Sequence, residues 1–256
     1  MLFAIIGGTG FNSVGGETEH RQVETDYGAV PVDIASIGGQ EVAFIARHGR
    51  EHTIPPHLIN YRANIAALKS LGVTHILASA AVGTLNTVMR PGDLALPDQF
   101  IDFTHGRPST LFDGKGSVRH TDMSRPYCPQ LHDELQRAGR FLGEHLHPAA
   151  VYVCTEGPRF ETAAEIEMFR RLGGDLVGMT GVPEAPLARE ASICYAALAV
   201  ITNWAAGIAE TPLDHDEISA HMSEQTATVQ RIFASVIQAW RDRPCPNCRP
   251  PIPEGA

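Results

Sequence analysis

The sequence predicts one α/β domain, and three observations carry that prediction. Short apolar runs alternate with amphipathic stretches, the rhythm of strands and crossover helices. No internal repeat or linker divides the 256 residues before position 241. At 43% hydrophobic and 19% charged, the chain carries enough apolar material for one large core, which excludes general disorder.

The elements follow in chain order. Residues 2–6 (LFAII) read as a buried strand ending in the turn Gly7-Gly8-Thr9-Gly10. Residues 41–46 (EVAFIA) read as a second strand, followed by polar Arg47-His48-Gly49-Arg50. Between His57 and Leu71, Leu58, Tyr61, Ile65 and Leu68 recur at helical spacing, and Gly72 ends that helix. Strands follow at 73–79 and 93–102, the first running into Ala80-Ala81-Val82-Gly83. Leu131, Leu135, Leu142 and Leu146 mark a helix, and 150–154 (AVYVC) a strand. Thr162 and Glu165 form a capping box for a helix reaching about Leu172. Strands at 175–179 and 193–202 flank a short helix in PEAPLARE. Ile218, Met222, Val229, Ile232, Phe233 and Val236 define a long terminal amphipathic helix.

Composition narrows the function. With 29 acidic against 20 basic residues and a net charge of -9, the chain lacks the basic face of a phosphate-backbone binder, so no nucleic-acid partner is expected. No apolar run approaches the roughly 18 residues of a membrane span, and MLFAIIGGTG carries no basic leader; a cytoplasmic protein is expected. Five cysteines, an odd number, suit free thiols in a reducing compartment. Cys245 and Cys248 form a CxxC, but no second ligand pair stands at a suitable spacing. Residues 241–256 therefore read as a flexible Pro-rich tail, and no metal is expected.

Three segments carry candidate chemistry. Thr9, Arg47-His48 and Ala80-Ala81 all lie at or beyond strand C-termini, where α/β sheets place ligands. The glycine turn exposes backbone N–H groups beside a Thr hydroxyl, Arg can fork onto two phosphate oxygens, and His can add a donor. The pattern is neither GxGxxG nor the lysine-bearing phosphate loop, which excludes a nucleotide hydrolase.

IIGGTG, ARHGREHTIPPHLINYRANIAALKSLG, PGDLALPDQFIDFT, TEGPRFET and VGMTGVPEAPLARE together resemble the trimeric purine nucleoside phosphorylase and methylthioadenosine phosphorylase family, over residues 2 to about 240. The resemblance implies an α/β domain (1–240) on a mixed, partly barrel-like sheet flanked by helices. It also implies phosphorolysis: inorganic phosphate is co-substrate, a purine nucleoside is substrate, and no cofactor is needed. Thr9, Arg47, His48 and Thr180 match the family's phosphate ligands, as does Ala81 through its backbone N–H. The preceding position, often Thr in the family, is Ala80 here and loses one side-chain donor. Met179 matches the residue beneath the ribose.

Base choice turns on two positions. The adenine branch carries Asp where Asn203 stands and a second Asp where Ala205 stands, and it carries Ser in place of Glu161 after Phe160. An amide donor and a carboxylate acceptor suit a 6-oxopurine, whose N1 carries a hydrogen. His120 matches a residue that a neighbouring subunit lends to the 5′ pocket, and His215 falls where a His contacts the 5′-hydroxyl. Asn203, Glu161 and His48 are thus the expected catalytic groups, in a homotrimer or dimer of trimers acting on inosine or guanosine in purine salvage. The alternatives are a methylthioinosine phosphorylase, then a methylthioadenosine phosphorylase, or a catalytically silent nucleoside-binding homologue.

Overall fold

The computed structural model describes residues 2–112, 119–209, 215–241 and 245–248. The first apolar run becomes β1 (Phe3–Gly7), followed by β2 (Thr18–Val23), β3 (Val30–Ile37) and β4 (Gln40–Ala46). A 3-10 turn at Pro56–Leu58 leads into α1 (Tyr61–Ser70), where the Asn60 side chain accepts from the Ala63 N–H and caps the helix. Next come β5 (His75–Thr84), β6 (Leu94–Phe103), α2 (Pro129–Leu142), β7 (Leu146–Thr155) and α3 (Ala163–Arg171). The chain continues through β8 (Leu176–Gly178), α4 (Gly181–Glu190), β9 (Cys194–Trp204) and α5 (His215–Ala239). The Thr162–Glu165 capping box expected for α3 is present in both directions.

β1 lies parallel between β4 and β5, and β5 runs parallel to β9 along its length. Pairings β5–β8, β8–β7, β7–β6, β6–β9 and β9–β5 close five strands into a ring, the barrel-like part of the sheet. β4, β3 and β2 extend from β1 as an open wing. α2 and α5 cover one face, where Met222, Val229, Ile232, Phe233 and Val236 are buried with Leu131 and Leu135. Each contributes about 1.5–3 kcal/mol by leaving water. α1 and α4 cover the other face. No helix among the described residues is long and apolar enough to cross a membrane.

The structure departs from the sequence analysis in five places, the first being β3 (VPVDIASI), a largely buried strand that it did not assign. β2 (TEHRQV) has no apolar alternation and is largely exposed; antiparallel pairing with β3 makes it a strand. Leu146 opens β7 and does not extend α2, which stops at Gly143 with φ 76°. Its helical spacing misleads because it packs back on α2: a Cβ on Gly139 would lie 2.5 Å from Leu146 Cδ1. β5 runs five residues beyond 79, through the small side chains to Thr84. Finally, the expected frayed tail does not hold at Cys245 and Cys248. Each is only 2% exposed, within the core under α2 and α5.

Candidate active site

A cavity of about 540 Å³ opens where the ends of β1, β4, β5, β8 and β9 converge. Thr9, Arg47, His48, Ala80, Ala81 and Thr180 line it, as do Phe160, Glu161, Met179, Asn203 and Ala205. His120 is exposed and does not line it. The side chain of His215, at the start of α5, lies outside the described residues.

One cluster forms beneath the glycine turn. The Gly8 N–H donates to Ser79 Oγ (2.9 Å), and a Cβ on Gly8 would come within 2.7 Å of the Ser79 carbonyl oxygen, so only glycine fits. Arg47 is 1% exposed at its side chain and spends its fork on Glu184: Nε and Nη2 each donate at 2.7 Å, while Nη1 donates to the Ser79 carbonyl at 2.9 Å. Burial opposes its charge, but Glu184 outweighs burial and raises the guanidinium pKa. Tyr195 also donates to Glu184 at 2.7 Å. The sequence pattern predicts both arms of Arg47 on phosphate; in the fold two N–H groups remain for an anion, and the charge is already balanced. Glu184 was missed because its place in PEAPLARE carries no motif apart from helical character.

His48 donates from Nδ1 to the Ile54 carbonyl at 2.8 Å, since a carbonyl can only accept. Burial, then the neighbouring Arg47 charge, lower its pKa to about 4. Neutral His48 therefore presents Nε2 as an acceptor, the reverse of the donor read from sequence, and this suits the P–OH of a monoprotonated phosphate. Thr180 opens α4 without spending its side chain on the helix cap; the Tyr152 hydroxyl accepts from the Thr180 and Gly181 N–H groups instead.

A second cluster lies further along β5. The register between β5 and β9 shifts at Val82/Gly83, so Gly83 pairs with Asn203 and Thr202 is the extra residue. That bulge sets Asn203. Its Oδ1 accepts from Thr202 Oγ1 (2.9 Å), its Nδ2 donates to the Trp204 carbonyl (2.9 Å), and one amide hydrogen remains. Glu161 accepts at Oε1 from Thr155 Oγ1 at 2.6 Å, leaving Oε2 for a ligand. Ala80 and Gly83 are three residues apart on one strand, about 10 Å, which spans an anion site and a purine joined through a ribose.

Further residues escaped sequence reading. Arg107 is 3% exposed at its side chain and donates to the Met179 and Val182 carbonyls (2.8 Å each) and to the Glu156 carbonyl (2.6 Å). It ties together the loops that carry Met179 and Glu161. His52, with φ 54° and its ring centroid 4.7 Å from that of His48, also lines the cavity.

Residues 2–238 match the family model of the phosphorylase superfamily. The chain belongs to that superfamily. Among phosphorylase relatives, it is 49% identical to the 6-oxopurine nucleoside phosphorylase of Pyrococcus furiosus, with 91% of each chain covered. It is 48% identical to a probable S-methyl-5′-thioinosine phosphorylase of Methanopyrus kandleri, again with equal coverage, 94%. The fold superposes on the phosphorylase structure of Schistosoma mansoni methylthioadenosine phosphorylase with adenine at a TM-score of 0.89 and 32% identity, covering 92% of this chain and 90% of that one.

Proposed function

We propose that this phosphorylase takes 6-oxopurine nucleosides, inosine and guanosine, with inorganic phosphate to the free base and ribose 1-phosphate. One observation carries the base choice: Glu161 and Asn203 line the same cavity as Thr9, Arg47, His48 and Thr180. Glu161 Oε2 accepts the N1–H that hypoxanthine and guanine carry and adenine lacks. The remaining Asn203 amide hydrogen donates to N7. As the bond from C1′ to N9 breaks, its electron pair moves onto the purine, and the Asn203 hydrogen bond strengthens there. The anion cluster holds phosphate with one oxygen toward C1′, where the new C–O bond forms, and Nε2 of His48 accepts from the phosphate hydroxyl. Met179 packs below the ribose; a Cβ at Gly157 would sit 2.5 Å from its sulfur, so Gly157 gives it room.

A methylthioinosine substrate is the second reading, favoured by the apolar wall of Ile54, Pro55 and Pro56 in the cavity. The exposed His120 fits a homotrimer, or a dimer of trimers, in which it completes a neighbour's 5′ pocket. Five cysteines with no disulfide among them fit a cytoplasmic protein of purine salvage. The deciding experiment compares kcat/KM for inosine, methylthioinosine and methylthioadenosine with phosphate. Inosine leading supports the proposal, methylthioinosine leading supports the second reading, and adenine-type substrates matching their 6-oxo counterparts refutes both.

A further inference from the structure

The fold supplies the ligand pair that the sequence spacing of the CxxC lacked. Cys128 stands at the N-terminal boundary of α2, Cys194 opens β9, and Cys245 and Cys248 flank a tight turn after α5. Their four Sγ atoms all lie within 4.8 Å of one another, and every one of these residues is 0–2% exposed. Cys128 Sγ and Cys245 Sγ are 3.7 Å apart. A disulfide needs about 2.05 Å. A tetrahedral zinc ion with Zn–S near 2.3 Å sets its sulfur atoms about 3.8 Å apart.

We propose that Cys128, Cys194, Cys245 and Cys248 form a structural zinc site that anchors the chain after α5 to the core. Four thiols from three separated segments close the tetrahedron and leave no open position for chemistry. Loading exchanges four S–H protons for one Zn²⁺ and leaves the site with two net negative charges. Its surroundings suit that charge. The positive end of α2 begins at Cys128, whose side chain makes no cap hydrogen bond of its own. Asn247 Nδ2 donates to Cys248 Sγ at 3.6 Å and to the Arg125 carbonyl at 3.3 Å, an outer support for one ligand. Cys194 and Asn203 stand at opposite ends of β9, nine residues or about 30 Å apart. The site is therefore remote from the cavity and independent of the base assignment.

The full-length protein, purified under reducing conditions without chelator, is tested for metal by mass spectrometry and for its ligands by zinc X-ray absorption. The expected result is one zinc per chain with four sulfur ligands at about 2.3 Å. Cys248→Ser should lose the ion and melt at a lower temperature, while Cys154→Ser, outside the cluster, should keep it. Zinc stripped from the native protein should lower Tm and leave kcat at ambient temperature unchanged. The proposal is overturned if metal-free protein shows five titratable thiols in denaturant and takes up no added zinc. It is equally overturned if one titratable thiol remains and the mass is four hydrogens low, the signature of two disulfides.

Discussion

Glu184→Gln isolates the charge balance beneath the proposed anion site. In the native chain Arg47 and Glu184 are each 1% exposed at the side chain and joined by two 2.7 Å hydrogen bonds. Glutamine keeps the shape but presents one acceptor and an NH₂ where two oxygens faced donors from Arg47 and Tyr195. Removing one partner of such a buried pair costs about 3–5 kcal/mol, because the other charge stays desolvated. For a chain of this size each kcal/mol moves Tm by roughly 2–4 °C, so a fall of roughly 6–20 °C is expected. The freed Arg47 charge should also make phosphate a stronger stabiliser of the variant than of the parent, through binding to the native state alone. The assay is thermal melting in phosphate and in chloride at matched ionic strength. A variant that melts within about 2 °C of the parent without phosphate would show that the pair contributes little, and the reasoning would fail.

Asn203→Asp should weaken use of inosine and admit adenosine-type substrates, more so with Glu161→Ser added; in the proposed reading both residues face one ring of the base, so their effects on kcat/KM should couple rather than add. An adenine ring leaves Glu161 facing a lone pair, a mismatch of several kcal/mol, so the parent should discriminate by about 100-fold or more. Gly83→Ala places a Cβ 3.1 Å from Asn203 Nδ2 and 3.3 Å from Val177 Cγ1, so kcat/KM for the nucleoside should fall about tenfold with phosphate KM little changed. Native His48 has a pKa of about 4, below the ordinary value of 6.5, so the unfolded chain takes up this proton first as pH falls. Its contribution is complete above pH 6.5 and is lost towards pH 4, up to about 3 kcal/mol; His48→Gln should flatten the fall of Tm between pH 7 and 4.5.

The fold was legible where the chain alternates apolar runs with helical periodicity, which covers β1, β4, α1, β9 and α5. It was illegible where tertiary pairing overrides local pattern: the polar strand β2, and Leu146 with its helix-like spacing. That Thr9 and Arg47 line the cavity could be read from their places after strand ends. Their chemistry could not. The neutral donor state of Nδ1 in His48 depends on the Ile54 carbonyl six residues away, and the occupation of Arg47 depends on Glu184, 137 residues away. Cys128 and Cys194 escaped for the same reason: nothing in their spacing points to Cys245 and Cys248.

The bulge in β9 makes the two halves of the cavity separate modules. Asn203 is oriented by Thr202 and Trp204, and Glu161 by Thr155, whereas Arg47 answers to Glu184 and Ser79. No partner is shared in these bonds. Groups without a common partner at such separations behave almost additively. Base selectivity can therefore drift through a few substitutions at strand ends while the phosphate chemistry and the core stay fixed. On the proposed assignment, such a scaffold would let a lineage change its purine while leaving the Arg47–Glu184–Ser79 cluster untouched.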